Sequence, residues 1–191
     1  MKKEINQAKK VIKDGGLVVF PTETAYGIAA DATDSDAVDK VFNVKQRPRD
    51  KGLTTIVDSL ETAEEHVRLS DTERKIIEEF MPGPLTLVSE KKDSVPDNLN
   101  SDFAFRISSG EVASKLAEVG PITATSANIS GEVTAYSVDD ISDELLEKID
   151  YVLDVGELDE GPTSTIAEFS DGELTVHREG PIKKDEIEKV L

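Results

Sequence analysis

Seven consecutive residues, Lys45-Gln46-Arg47-Pro48-Arg49-Asp50-Lys51, carry four cations. They do so in a chain with 40 acidic residues against 22 basic ones, a formal net charge of −18. A basic knot kept in that background points to an anion held at a defined place. Read alone, the run also fits a solvated turn after a helix, where Lys45 would complement the helix dipole. The other polar loops weigh against that plainer reading. They supply the cations Arg106 and Arg178, the hydroxyls of Thr22, Thr24, Ser126, Ser130, Thr163, Ser164 and Thr165, and the amide of Asn128. Such a set suits a phosphorylated, carboxylate-bearing ligand bound through charge-assisted hydrogen bonds. The matching chemistry is phosphoryl or nucleotidyl transfer, in which positioning and charge neutralisation do most of the work.

Other chemistries are excluded by inventory. The absence of cysteine removes disulfides, thiolate metal sites and thiol nucleophiles, and fits an intracellular protein without requiring one. His66 and His177 are far apart and in no metal-ligand spacing. His66 lies in a charged helical pattern and reads as surface, and the chemistry-bearing loops are read as holding no histidine base and no metal. No Gly-x-x-x-x-Gly-Lys-Ser/Thr loop and no Gly-x-Gly-x-x-Gly after a strand is present. The strong acidity disfavours nonspecific nucleic-acid binding. Met1 to Asn6 reads as a polar helix start and not a signal peptide, and no window is apolar enough to span a membrane, so a cytoplasmic location is expected. Asn128-Ile129-Ser130 matches a glycosylation sequon that would then be idle.

These loops need a scaffold. With 191 residues and 37% apolar content, one domain over residues 1–191 is expected. Ile5, Ala8, Val11 and Ile12 recur at helical spacing before Gly15-Gly16. Leu17 to Phe20 is a buried-strand run ending in Pro21-Thr22-Glu23-Thr24-Ala25-Tyr26-Gly27, at a strand end where α/β proteins place ligands. Asp34 or Ser35 caps a helix with Val38, Val41 and Phe42 inward, and the basic knot follows it. Strands are expected at Leu53–Val57, Leu85–Val88, Phe103–Ile107, Ile122–Ala127 and Tyr151–Val155. Helices are expected at about Leu60–Val67, after the capping box Ser70-Asp71-Thr72-Glu73, at Glu111–Val119, from Ser137 through Ile149, and at Glu186–Leu191. Residues 89–102 read as a polar loop. Asp171-Gly172 between Thr165–Phe169 and Glu173–Arg178 signals a two-residue hairpin. Ten acids against one lysine between Asp139 and Glu160 read as a solvated face. Strands alternating with helices and then a hairpin argue for an α/β (α+β) fold around a twisted mixed sheet.

The chain resembles the YrdC-like family of threonylcarbamoyl-AMP synthases over nearly its full length. The resemblance rests on Pro21 to Gly27, on Lys45-Gln46-Arg47-Pro48 with Lys51-Gly52-Leu53, and on Pro82-Gly83-Pro84-Leu85-Thr86. It continues through Ser126-Ala127-Asn128-Ile129-Ser130-Gly131, Ser164-Thr165-Ile166, and Arg178 with Gly180. Any one of these is weak, but six in the family's order are specific. The family implies a twisted sheet with a concave, electropositive pocket. It implies that L-threonine, bicarbonate or CO2, and ATP react to give threonylcarbamoyl-adenylate and pyrophosphate. Mg²⁺ would come with ATP as substrate, with no protein-bound metal. A downstream threonylcarbamoyl-transferase complex would then modify tRNA, which this chain would touch weakly at most. By resemblance, Lys45 and Arg47 are the catalytic cations. Arg47, Lys51, Ser126, Asn128, Thr134 and Arg178 are then the ATP contacts, and Thr24, Arg106 and Ser164 the threonine contacts.

The chain departs from the family at Ser108, where a proline is common, and at Thr163, where a proline often precedes the serine. Two alternatives compete with the synthase. One is a YrdC-like RNA-binding or accessory protein without synthase activity. The other is a carbamoyl-adenylate-forming domain like that of the hydrogenase-maturation proteins, whose zinc-finger cysteines are absent here.

Overall fold

Helix α1, Lys2–Lys13, turns Ile5, Ala8 and Ile12 to the core and ends at Asp14 and Gly15, where glycine's positive φ lets the chain leave. The computed structural model describes all of residues 1–191. Strand β1, Val18–Pro21, follows with every residue buried, as a run without polar side chains requires. It reverses through Thr22-Glu23-Thr24-Ala25 into β2, Tyr26–Ala29, paired antiparallel from Val18↔Ala29 to Pro21↔Tyr26. Thr22 closes that turn with its own hydroxyl, which accepts from the Thr24 and Ala25 amides at 3.2 Å and donates to the Ala25 carbonyl at 2.7 Å.

Helix α2, Ser35–Lys45, is capped by the Asp34 carboxylate and buries Val38, Val41 and Phe42, as its spacing predicts. Strand β3, Thr54–Val57, helix α3, Leu60–His66, and the short β4, Val67–Arg68, come next. Helix α4, Asp71–Phe80, starts with both halves of the Ser70/Glu73 capping box formed. Strand β5, Leu85–Lys91, outruns its predicted end by three residues, and β6 spans Phe103–Ile107. The intervening segment is less loop-like than its polarity suggests, because the isolated Val95 and Leu99 are buried plugs. Helix α5, Glu111–Ala117, leads to β7, Ile122–Thr123, and β8, Thr125–Ser126.

One helix from Ser137 through Ile149 does not form. A 3-10 turn at Val138–Asp140 and the single-turn α6, Asp143–Leu146, replace it. The Asp140 carboxylate takes the amides of Tyr136 and Ser137 at 3.0 and 2.8 Å, and Ser142 restarts the chain, so two helix starts divide the segment. Strand β9 is only Tyr151–Val152. Strands β10, Thr165–Ser170, and β11, Glu173–Arg178, form the expected hairpin, with Asp171 and Gly172 at φ 53° and 83° as a primed turn demands. Helix α7, Lys184–Glu188, anchors through Ile187.

The class is α/β with mixed, twisted sheets, but two sheets stand where one was expected. The smaller runs β8-β2-β1-β9 and the larger β11-β10-β5-β6-β3-β7, with β4 beside β5. The predicted strand Ile122–Ala127 divides between them. Ile122 and Thr123 pair with β3, whereas Thr125 and Ser126 pair with β2. At the crossing, the Thr54 hydroxyl donates to the Ala124 carbonyl at 3.0 Å. Such small side chains give the run no face wide enough to commit it to one sheet. One apolar cluster includes Tyr26, Phe42, Phe103 and Phe105, and a second sits under α1 and α5 around Phe20, Ile56 and Ile122.

His66 is a correction. It is buried, its Nδ1 lies 3.0 Å from the Ser94 hydroxyl, and its ring lies tilted against Phe103 at 6.0 Å between centroids. Burial pushes its pKa below the ordinary 6.5. It is the last residue of α3, where the chain turns into β4 toward the sheet, a change of direction that helical periodicity does not reveal.

Candidate active site

The two sheets and the loops at their ends enclose a cavity of about 540 Å³, in the size range of small-ligand sites. Its wall collects Thr22 and Thr24 from the β1–β2 turn, Arg47 and Lys51 from the basic knot, and Arg106 from β6. Ser126 and Thr134 line the opposite side, with Ser164 and Arg178 at the third. Residues more than 150 positions apart thus meet at one place.

Arg47 reaches the cavity because α2 ends on Gln46, in the left-handed region at φ 49°. That single residue redirects the chain, so Lys45 and Arg47 diverge. The Arg47 side chain is held by the carbonyls of Gly52 and Lys51, each at 2.8 Å, with no carboxylate bonded to it. Gly52 cannot carry a side chain, because a Cβ there would overlap the Asn100 amide at 1.5 Å.

Lys45 does not face the cavity. It is 1% exposed, and its Nζ donates to the carbonyls of Ser126 and Asn128 and to Asn128 Oδ1. Asn128 is likewise turned into its own loop. Its Oδ1 also accepts from the Ser126 hydroxyl at 2.7 Å, and its Nδ2 donates to the Glu132 carbonyl at 2.7 Å. Lys45 and Asn128 are thus turned to each other and build a lysine-braced loop that presents Ser126. Burial first, and the Arg47 charge second, lower Lys45 to about 7. Three oxygen acceptors match the three N–H bonds of the ammonium and favour the charged form.

Arg106 is almost wholly buried, which excludes a water-exposed strand residue. One guanidinium nitrogen pairs with Glu23 Oε1, while Glu23 Oε2 accepts from the Ser108 hydroxyl. Burial lowers the Arg106 pKa and the Glu23 charge offsets part of that. Arg178 donates from Nε and Nη2 to the Ser164 carbonyl at 3.0 and 2.7 Å. Its pKa is lowered by burial first, then by the charges of Arg106 and Arg47. Three guanidiniums are thus close enough to disfavour one another, and only Arg106 is paired with a carboxylate. That arrangement stores affinity for an anion. Ser164 is fixed from behind by Thr86, hydroxyl to hydroxyl at 2.9 Å.

Among the wall residues that the sequence does not single out are His177 and Glu168, joined Nε2 to Oε2 at 2.7 Å. The cavity therefore holds an imidazole, against the expectation that no histidine base is present. Strand alternation would put His177 on the face opposite Arg178; a bulge in β11 overrides it. No group of three or more His, Cys, Asp or Glu side chains is placed to hold a metal ion, and no helix is long and apolar enough to cross a membrane.

Comparison with known proteins decides the lineage. Residues 10–180 match the profile of the Sua5/YciO/YrdC family, described as "Telomere recombination". The chain belongs to this family. It is 40% identical over 186 residues to a Methanocaldococcus jannaschii protein provisionally named a threonylcarbamoyl-AMP synthase, covering 96% of this chain and 89% of that one. To the threonylcarbamoyl-AMP synthase of Pyrococcus abyssi it is 37% identical over 194 residues. The structure of P. abyssi Sua5 complexed with L-threonine superposes with a TM-score of 0.94 at 36% identity, covering all of this chain and 58% of that one. This chain thus spans just over half the length of the P. abyssi protein. E. coli YciO shares the fold at a TM-score of 0.87 and 23% identity.

Proposed function

We propose that this chain is an L-threonylcarbamoyladenylate synthase acting as one domain over residues 1–191. The observation that carries the reading is the cavity itself. Arg47, Lys51, Arg106 and Arg178 converge on hydroxyl-bearing loops, and one of the three guanidiniums has a carboxylate partner. Relatives bearing that activity's name, and a relative's complex with L-threonine, support it.

The threonine amine takes up CO2, derived from bicarbonate, as a carbamate. A carbamate oxygen then attacks the α-phosphorus of ATP, and pyrophosphate leaves. Each step gathers negative charge at the reacting centre, and the enzyme's contribution is placement and neutralisation of that charge. Arg47, Lys51 and Arg178 hold the phosphates, with Ser126 and Thr134 on the nucleotide from the facing loop. Arg106 takes the threonine carboxylate, with Thr24 and Ser164 beside it. Lys45 and Asn128 serve by bracing the Ser126 loop. Mg²⁺ enters with ATP and offsets triphosphate charge. The product passes in the cytoplasm to a separate threonylcarbamoyl-transferase complex acting on tRNA.

The test is pyrophosphate release from Mg²⁺-ATP, with threonine and bicarbonate omitted in turn. Release should need both. Equal release without threonine would sink the assignment.

A further inference from the structure

The pairing between β10 and β11 matches Ala167 with Val176 and Ile166 with Arg178, leaving His177 as the extra residue of a bulge. A regular strand would send His177 and Arg178 to opposite faces; here both line the cavity. Bulges beside sites re-aim a side chain, and the side chain re-aimed here is an imidazole. Its Nε2 lies 2.7 Å from Glu168 Oε2. A carboxylate can only accept, so Nε2 carries a proton, and in the neutral imidazole Nδ1 then keeps a free lone pair. A carboxylate behind an imidazole both fixes that tautomer and stabilises the imidazolium once formed.

The proposed reaction needs a proton acceptor. When the neutral threonine amine attacks CO2, the nitrogen lone pair forms the N–C bond and one C=O pair moves to oxygen. The resulting ammonio-carboxylate must lose an N–H proton before it is a stable carbamate. Other candidates in or near the cavity are engaged or too weak. Lys45 gives all three N–H bonds to carbonyl and amide oxygens and does not line the cavity. Glu23 has one oxygen on Arg106 and the other on Ser108. Asp50 and Asp102 also line the cavity, but lone carboxylates are far weaker bases than imidazole.

We infer that His177, oriented by Glu168, accepts the proton released when the substrate amine is carboxylated. This rests on the synthase reading above. The proton goes from the amine nitrogen to Nδ1, giving threonine carbamate and an imidazolium beside Glu168. The His177 side chain is about half exposed, so it can return that proton to solvent before the next turnover.

The experiment separates two half-reactions. Synthesis from threonine, bicarbonate and ATP includes the proton transfer. Exchange of labelled pyrophosphate into ATP, driven by added threonylcarbamoyl-adenylate, passes only between adenylate and carbamate. His177→Gln should lose synthesis by about 100-fold while exchange stays within about twofold. Imidazole added to His177→Ala should restore synthesis, and Glu168→Gln should show a smaller loss of the same selective kind. An unchanged rate of synthesis in His177→Gln, or a parallel fall in exchange, overturns the inference while leaving the synthase reading intact. Wild-type protein that makes no adenylate overturns both.

Discussion

Lys45 and Asn128 are joined twice, by Nζ donating to the Asn128 carbonyl at 2.7 Å and to its Oδ1 at 3.0 Å. With the further bond to the Ser126 carbonyl, one buried ammonium fixes the loop that faces the basic knot. Lys45 and Arg47, two residues apart, therefore predict different phenotypes. Lys45→Met leaves three acceptors without their donor and should cost about 2 kcal/mol or more of stability, with activity lost through a displaced loop. Arg47→Ala should leave stability within about 0.5 kcal/mol yet lower turnover by about 100-fold, since it removes a charge at the developing anion. Denaturant midpoints and rates of both variants check this. Equal midpoints for the two would contradict the bracing role.

The same lysine makes stability depend on pH. In the unfolded chain it holds its proton to near 10.5, whereas burial and the neighbouring Arg47 lower it to about 7 in the fold. Between those values the unfolded chain binds more protons, so stability contributed by this group rises with pH. The three acceptors oppose the shift, so the gain is a fraction of the full value. Relative to Lys45→Met, the wild type should gain on the order of 1 kcal/mol between about pH 7 and pH 9. A stability difference constant over that range would show that the acceptors hold the proton throughout.

Ser108 supplies a third test. Its hydroxyl holds Glu23, and Glu23 holds Arg106, so the serine acts on the proposed threonine site through two intermediates. Ser108→Ala should raise the KM for threonine about fivefold, as losing roughly 1 kcal/mol of ordering implies, without changing the KM for ATP. Ser108→Thr should restore it. A matched rise in both KM values would mean that Ser108 does not act through Arg106.

The parts of this molecule that the sequence made legible are those in which local chemistry decides. The Ser70/Glu73 capping box, the Asp171-Gly172 turn and the buried run of β1 each follow from interactions within a few residues. Eight of the expected site residues line the cavity, because loop residues flanked by strands have little else to face. The depth of Lys45 is not legible because it depends on Gln46 adopting a left-handed conformation, which a charged, polar turn does not signal. The place of His177 is hidden for a similar reason. Alternation puts it opposite Arg178, and only the cross-strand register shows the bulge that reverses this. The crossing at Ala124 is tertiary as well, set by which sheet edge lies nearest.

The last prediction separates the synthase from an RNA-binding relative. At a net charge of −18 the chain repels a polyanion at long range. Arg47, Lys51, Arg106 and Arg178 cannot reverse that repulsion beyond a Debye length of about 8 Å at physiological salt. They line a concave cavity in which Arg106 is nearly inaccessible while Lys51 and Arg178 are exposed, so a duplex backbone cannot meet all four as it would on a basic ridge. Threonylcarbamoyl-adenylate should therefore form at full rate without tRNA, and tRNA modification should need a second protein. Binding of the isolated chain to tRNA should be on the order of 10⁻⁵ M or weaker at physiological salt. A salt-controlled titration beside a synthase assay with added RNase measures both quantities. Tight binding at physiological salt, or synthesis abolished by the RNase, would make the cavity an RNA site and give the accessory role precedence.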